Sequence, residues 1–221
     1  MKKNLLLILS VILGGLLLNA QTSTSSANHV VANTGNSDLN AMVKKEALQK
    51  ALSFLNLIPE GREKDYGFAM RSDFSKIKIE EPYQTYYLSK KDKDLLFVSG
   101  NEWRVPLSVD GHYVALLTVQ INAGVAEAVD FGANGLAQKI EEFEKLYFNP
   151  SSERVLIRNT FLSRDYITTN FAALCNQKLG NLIEINTQSP ISVYQLNAGR
   201  PVATDISVFY KESLESSNNT N

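Results

Sequence analysis

Cysteine and histidine are scarce in this sequence, whose 221 residues include one cysteine and two histidines. A single cysteine excludes an intramolecular disulfide framework, and with two imidazoles the chain also lacks the Cys/His clusters of ordinary zinc sites. A chain of this length buries enough apolar surface to fold without such cross-links. We therefore expect no metal site.

An excess of charge of one sign is also lacking. The chain has 22 lysines and arginines against 23 aspartates and glutamates, which leaves a formal net charge of −1. A protein that binds nucleic acid through its phosphates needs a marked positive potential. The composition therefore predicts no nucleic-acid partner.

The motifs of several large enzyme classes are missing too. The sequence contains neither G-x-G-x-x-G nor G-x-x-x-x-G-K-[ST], which bind nucleotide phosphates, and neither G-x-S-x-G nor H-E-x-x-H. We therefore expect no cofactor, and the sequence gives no support to the nucleotide-dependent enzymes, serine hydrolases or metalloproteases that these motifs mark.

The N-terminus has the three parts of a secretory signal peptide. Lys2 and Lys3 precede an uncharged apolar run, residues 5–18, and Ala20 offers a small residue for cleavage. These 14 residues would extend about 21 Å as a helix, short of the roughly 30 Å hydrocarbon core of a bilayer. We expect residues 1–20 to be removed and the protein to be exported to the periplasm or the exterior, with no membrane span after signal removal.

Composition divides the rest of the chain into four stretches. Residues 21–37 are rich in Ser, Thr and Asn and predict a flexible tether, and residues 215–221 predict a disordered tail. Residues 38–150 carry the strongest helix and strand signals and predict an α+β domain. Residues 151–214 are β-rich and belong either to that domain or to a small second one.

Two segments have apolar residues at helical spacing. The first, residues 38–57, begins at Asp38, a favourable N-cap, and stops before Pro59. The second, residues 134–148, has Leu, Ile, Phe and Tyr along one face and charged residues elsewhere, and Pro150 follows its end.

Residues 102–122 predict a β-hairpin. Asp110 and Gly111 stand between two arms of alternating apolar residues, and both tolerate the positive φ of a type I′ turn. Pro106 lies in the first arm and has no N–H for a ladder, so that arm is predicted to be an edge or bulged strand that could accept a partner strand. A two-residue turn also predicts two facing pairs on the core side: Leu107 with Val114, and Val105 with Leu116.

Strands outnumber helices, and the helices stand before and after one meander instead of alternating with strands. This order predicts an α+β fold, with a mainly antiparallel sheet (meander) packed by two helices and a β-rich C-terminal third. The strands expected in that third are residues 154–158, 165–169, 182–186, 191–197 and 206–210.

Three tyrosines cluster in residues 82–87. In a strand Tyr83 and Tyr87 share one face and Tyr86 lies on the other, so at least one ring is expected outside the core. An exposed tyrosine combines a large apolar area with a polar tip and suits peptide or glycan ligands. The alternative is that all three rings pack and only their hydroxyls reach the surface.

Histidine catalysis would depend on His112, because His29 lies in the predicted tether. Cys175 is the single thiol, so a Cys175/His112 nucleophile–base pair is the sharpest enzymatic hypothesis. However, Cys175 ends the apolar run 171–175, which is typical of a buried, inert cysteine, and His112 follows a turn, where polar residues are simply exposed. A catalytic pair also needs an orienting group.

Carboxylates offer a second route to hydrolysis, because two of them across a cleft can act as acid and base. The usual role of such residues is solvation of a sheet surface, and sequence spacing does not give their separation. The candidates in the β region are Glu80, Glu81, Glu102, Asp110, Glu127 and Asp130.

These features favour an exported, non-enzymatic binding or interaction protein whose ligand is a peptide, a protein or a glycan of the cell envelope or exterior. The predicted binding residues are Tyr83, Tyr86 and Tyr87. The alternative is a simple secreted hydrolase that uses Cys175 and His112 or a carboxylate pair. A third interpretation is a structural component of the envelope with no small ligand.

Overall fold

The structure is a computed structural model that describes residues 36–91, 94–149, 152–168, 171, 182–185 and 206–219. The predicted signal peptide, nearly all of the predicted tether, Cys175 and the predicted strand 191–197 lie outside the described residues. The first helix begins at Asn36, two residues before its predicted start at Asp38, and so includes the last two residues of the predicted tether.

The described chain runs from a helix through a five-strand segment to a second helix, three further strands and a C-terminal helix. Two 3₁₀ turns, Glu63–Tyr66 and Arg71–Lys76, connect the first helix to the sheet. The helices are α1 Asn36–Leu55, α2 Asn134–Tyr147 and α3 Ile206–Asn219. The strands are β1 Lys78–Ile79, β2 Tyr83–Lys91, β3 Asp94–Val109, β4 His112–Asn122, β5 Val125–Gly132, β6 Val155–Asn159, β7 Arg164–Thr168 and β8 Leu182–Ile185.

All eight strands belong to one mixed sheet of order β5-β4-β3-β2-β6-β7-β8, with the short β1 paired to β3. Every pairing is antiparallel except that of β2 with β6, which is parallel. The predicted α+β fold with a mainly antiparallel sheet is therefore confirmed. Because β6 pairs with β2, strands β6 to β8 extend the same sheet.

The sheet buries a separate core on each of its two faces, which we name after their helices. On the α1 face, Val43 and Ala47 of α1 pack on Trp103, Val105 and their neighbours in β4. The α2 face takes the apolar side of α2, which is Leu136, Ala137, Ile140 and Phe143. The sheet residues below α2 are Tyr83, Leu116, Leu156, Ile167 and Ile185. Residues alternate between the two faces because successive strand side chains point in opposite directions.

The predicted hairpin forms, but its register differs from the prediction. Asp110 and Gly111 have φ of 51° and 86°, as a type I′ turn requires, and Val109 pairs with His112. A bulge follows in β4, at Val114, and shifts the pairing by one residue. The predicted pairs are therefore wrong, and the observed ones are Leu107 with Ala115, Val105 with Leu117, and Pro106 with Leu116. As a result Leu116 lies on the α2 face.

Pro106 lies in an interior strand, so of the two predicted alternatives the edge strand that accepts a partner is wrong, whereas the bulged strand is confirmed by the register shift of β3 against β2 between Gln84 and Tyr86. β3 has β4 on one side and β1 followed by β2 on the other. The carbonyl of Pro106 accepts a hydrogen bond from the Glu80 N–H at 3.0 Å, at the point where the neighbour of β3 changes from β1 to β2. The ladder is interrupted at that point, so the missing proline donor is tolerated.

The C-terminal third differs most from its prediction. β6, β7 and β8 lie close to the predicted segments, but residues 206–210, predicted as a strand, begin helix α3. Helix α3 continues through residues 215–219, which we expected in a disordered tail. It packs on the α1 face, where Tyr210 and Leu214 contact the cluster of Tyr86 and Ile157. In the part of the chain that the structure describes, three helices, α1, α2 and α3, therefore contact the sheet, instead of the two predicted.

Helix α3 packs on the sheet although its composition is polar. Tyr210, Ser213, Leu214 and Ser217 recur at helical spacing and form its inner side. Ser213 is fully buried and accepts a 2.7 Å hydrogen bond from Asn159 Nδ2. Small hydroxyl side chains that are hydrogen-bonded can be buried at little cost, so a serine-rich end is compatible with packing.

Candidate functional site

The structure separates the three tyrosines predicted to bind. Tyr83 and Tyr87 lie on the α2 face and Tyr86 on the α1 face, in agreement with the alternation of a strand. Tyr83 is fully buried, and the ring of Tyr86 packs on Phe171 with centroids 4.1 Å apart. Tyr87 is half-buried. Of the three, Tyr87 alone is partly exposed to solvent.

Tyr87 is held in place by a glycine and a carboxylate. A Cβ added to Gly100 would stand 2.6 Å from Cε2 of Tyr87, so the ring packs directly on the glycine backbone. The Tyr87 hydroxyl lies 3.5 Å from Oε2 of Glu102. Burial of the phenol, assisted by the negative charge of Glu102, raises the pKa of Tyr87. The Tyr87 hydroxyl is therefore neutral, and the ring is held in one position.

Glu102 and Arg104 form a nearly buried ion pair beside this tyrosine. They stand two residues apart on β3 and so share the α2 face, and their side chains are only 12% and 11% exposed. Arg104 Nη2 lies 2.7 Å from Glu102 Oε1, and Arg104 Nη1 donates to Thr118 Oγ1 at 2.6 Å. Thr118 is the cross-strand partner of Arg104 on β4.

A second ion pair continues this row across the sheet. Tyr87 of β2 pairs with Arg158 of β6, which pairs with Asp165 of β7. Arg158 donates from Nε and Nη2 to the two carboxylate oxygens of Asp165, at 3.0 and 3.4 Å. These hydrogen bonds raise the pKa of Arg158, with smaller contributions from burial, which opposes them, and from the nearby Glu102 and Tyr87. The two pairs are thus electrostatic neighbours.

We call this set the polar cluster: Tyr87, Glu102, Arg104, Arg158 and Asp165. Several buried polar atoms in and beside it have no aligned hydrogen bond to any residue that the structure describes. They are Arg104 Nε, Glu102 Oε1 and the hydroxyl of Thr85, a fully buried residue between Tyr83 and Tyr87 on β2. A buried polar group without a hydrogen bond costs about 1–3 kcal/mol, so these atoms are candidates for hydrogen bonds to water or to a polar ligand.

A different polar network lies beneath α2. Glu144 accepts hydrogen bonds from the buried hydroxyl of Tyr83 at 2.5 Å and from that of Tyr113 at 2.6 Å, and Arg154 Nε lies 3.5 Å from the same carboxylate. Burial, together with the charge of Glu144, raises the pKa of both phenols. This network fastens the helix to the sheet and explains why Tyr83 is part of the core.

His112 is placed at the end of the hairpin and not in a cleft. Its side chain is 73% exposed, and its Nδ1 lies 3.1 Å from Oε1 of Glu141 on α2. Glu141 also accepts the backbone N–H of Tyr113 at 2.7 Å and pairs with Lys145. Glu141 can orient the imidazole, as a catalytic pair would require. Cys175 lies outside the described residues, so the Cys175/His112 pair stays a prediction.

The six carboxylates singled out from the sequence have separate surroundings. Glu80 accepts a hydrogen bond from Ser108 at 2.5 Å, Glu81 pairs with Lys44, and Asp110 lies 3.4 Å from Lys76. Glu127 and Asp130 are exposed on β5. Glu102 alone among the six lies in the polar cluster, and its neighbouring carboxylate there is Asp165, which sequence reasoning did not select.

The other residues missed from sequence were Arg104, Arg158 and Thr118. One available signal was the alternation of Glu102 and Arg104 within a strand that is otherwise apolar. The approach of Arg158 depends on the parallel pairing of β6 with β2, across about 70 residues of chain, which no local pattern encodes.

Within the described residues, no group of three or more His, Cys, Asp or Glu side chains is arranged to hold a metal ion. None of the helices in that part of the chain is long and apolar enough to cross a membrane. No protein-family model matches the sequence, and comparisons with curated proteins and with solved structures also find no match.

Proposed function

We propose that this protein is an exported, non-enzymatic binding protein of the cell envelope or exterior, and that its ligand, a peptide, a protein or a glycan, binds at the polar cluster. The observation that carries the proposal is the row Tyr87, Arg158 and Asp165 beside Glu102 and Arg104, with unsatisfied buried polar atoms among them.

The chemistry of the cluster suits binding better than catalysis. Each arginine is paired with a carboxylate, so both acids in the cluster are held by ion pairs. Ion pairs and a packed ring hold the side chains in one arrangement, and a ligand therefore finds donors and acceptors that are already ordered. Fixed polar groups beside an aromatic ring are common features of binding sites.

Nuclear magnetic resonance of the arginine Nε–H groups tests this proposal. The purified protein is titrated with a panel of oligosaccharides and capped peptides, and variants R104K and R158K assign the two resonances. We expect at least one probe to shift the Arg104 and Arg158 signals while Arg62, which forms an exposed ion pair with Asp65, stays unchanged. A panel that shifts neither cluster arginine would contradict the proposal.

The contact between His112 and Glu141 keeps the hydrolase alternative worth a direct test. The alkylation rate of Cys175 is compared in the native and the unfolded protein, and in variants H112A and E141Q. We expect the thiol to react faster after unfolding and to be insensitive to both variants. A native thiol that reacts faster than the unfolded one, and slows in H112A, would favour the hydrolase instead. The third interpretation, a structural envelope component, predicts no probe binding and a fixed protein partner.

Export is part of the same proposal and rests on residues 1–20. Expression of the full chain followed by mass spectrometry of the N-terminal peptide tests it. We expect the mature protein to begin at Gln21 and to be recovered from the periplasm or the medium. A chain that retains Met1 and stays in the cytoplasm would contradict it.

A further inference from the structure

We infer that the ligand of the polar cluster is a neutral glycan, with a sugar ring on Tyr87 and its hydroxyl groups bonded to Arg158 and Asp165. This inference rests on the proposed function and specifies its ligand class.

The charges of the cluster point to an uncharged ligand. It holds two guanidinium groups and two carboxylates, each arginine paired with one acid, so its formal charge is zero. An anionic or cationic ligand would have to displace one partner of a pair. For Glu102 and Arg104, which are nearly buried, this would leave an uncompensated charge away from water, a strongly unfavourable change.

The cluster contains both donors and acceptors of hydrogen bonds, as a partner for hydroxyl groups must. Among the described residues, Arg104 Nε has no acceptor, Glu102 Oε1 has no aligned donor, and the Thr85 hydroxyl has neither. These three atoms are buried, so the polar groups that a ligand meets first are the Arg158 guanidinium and the Asp165 carboxylate, whose side chains are 34% and 19% exposed and which offer donors beside acceptors. A hydroxyl donates and accepts at the same atom, so a polyhydroxylated ligand matches this set better than one with acceptors alone.

Tyr87 supplies the apolar part of the same surface. Its ring packs on Gly100 and is half-buried, so it presents a fixed apolar area bordered by polar groups. A pyranose ring has a complementary character, with C–H groups on its faces and hydroxyls at its rim. An aromatic ring beside arginine and carboxylate groups therefore matches both parts of a sugar.

A peptide is the less favoured ligand because of where the cluster lies. Extended peptides gain much of their affinity by pairing with the free backbone of an edge strand. Tyr87, Arg104 and Arg158 stand on β2, β3 and β6, which all have a strand on each side. The backbone there is already used within the sheet, so only side chains are available for recognition.

The experiment titrates the purified protein with three kinds of probe while the arginine Nε–H and tyrosine ring resonances are followed. The neutral probes are hexaoses of glucose in α-1,4 and β-1,4 linkage, of xylose and of N-acetylglucosamine. The charged probes are a galacturonic acid hexamer and a heparin hexasaccharide, and the peptide is a capped Ser-Thr-Asn repeat of six residues. We expect a neutral hexaose to shift Arg104, Arg158 and Tyr87 at concentrations up to about 10 mM, and the other probes to leave them unchanged.

Variants then locate the site. Y87A and R158Q are expected to weaken binding of that hexaose about tenfold or more, and Y87F less than about threefold, because the ring is kept. R62Q is the matched control, since Arg62 is also paired with an aspartate, and it should change binding less than about twofold. Circular dichroism of each variant separates loss of binding from loss of fold, and R158Q, which leaves the Tyr87 ring on Gly100, carries the test if Y87A unfolds.

The outcomes separate this inference from the proposed function. Stronger binding of a charged saccharide or of the peptide at the same residues would overturn the neutral glycan and leave the binding site in place. Binding of a neutral hexaose that R62Q weakens as much as R158Q would also overturn it. If no probe shifts any residue of the cluster, both the inference and the proposed function are wrong.

Discussion

The ring of Tyr87 and the backbone of Gly100 are in such close contact that no side chain fits between them. A Cβ on Gly100 would stand 2.6 Å from Cε2 of Tyr87 and 2.9 Å from the carbonyl oxygen of Thr85. Gly100 lies beside the irregular stretch of β3, where Gln84 pairs with Trp103 but Tyr86 pairs with Ser99. The glycine therefore allows the tyrosine ring to cover a bulge in the sheet.

This contact predicts that Gly100→Ala is destabilising. The added methyl group must displace both a ring and a backbone carbonyl, and overpacking of this kind costs about 1–3 kcal/mol. The free energy of unfolding from urea denaturation, monitored by circular dichroism, measures the loss. An unchanged midpoint would show that Tyr87 and the bulge can move aside freely.

Gly135 on α2 predicts the opposite result and serves as the matched glycine control. A Cβ there would meet no atom within 4 Å, and the residue lies in the first turn of the helix. Gly135→Ala should raise the free energy of unfolding by about 0.4–1 kcal/mol, because alanine restricts the unfolded chain without a clash. A loss of stability in both glycine variants would contradict the distinction between the two sites.

The two phenols bound to Glu144 predict a loss of stability at alkaline pH. Burial and the adjacent carboxylate raise the pKa of Tyr83 and Tyr113 above the ordinary value of 10.0. Their contribution to stability is therefore complete below pH 10 and decreases as the pH rises above it, because the unfolded chain ionises first. Absorbance of the phenolate form, followed as the pH is raised, should show these tyrosines titrating only together with unfolding. Y113F should show a weaker dependence of stability on pH in that range; an unchanged dependence would exclude Tyr113 as its source.

The lowered pKa of Glu141 predicts that the protein loses stability at acid pH. Burial would raise the pKa of its carboxyl group, but hydrogen bonds from Lys145, the Tyr113 backbone and His112 outweigh burial and lower it below the ordinary value of 4.5. The stabilisation is therefore present above about pH 4.5 and is lost as the pH falls through the lowered pKa. E141Q should lose about 1–2 kcal/mol of its free energy of unfolding at neutral pH and little at pH 3, as measured by urea unfolding at both values.

The control is E142Q, because Glu142 is an exposed neighbour paired with Lys139. This variant should behave as the unaltered protein at both pH values.

Local patterns in the sequence were sufficient for several elements of the fold. Asp110 and Gly111 adopt the predicted turn because few residue pairs accept two positive φ values in succession. The extents of α1 and α2 follow from apolar spacing and from nearby prolines, since a helix depends on residues three or four positions apart. The alternation of strand side chains likewise predicted that Tyr83 and Tyr87 share a face.

Tertiary structure decided what depends on residues distant in the chain. The bulge at Val114 moved Leu116 to the α2 face, since register is settled by packing on both sides of a sheet and not by the turn alone. Helix α3 is ordered because Asn159 and the core of the α1 face offer its serines and Tyr210 a place to pack. By itself, the sequence determined which residues alternate, turn or cap, because those preferences act within a few positions. The pairing of β6 with β2 brought Arg158 to Tyr87 and thereby assembled the polar cluster, because it is the sheet that brings distant side chains together.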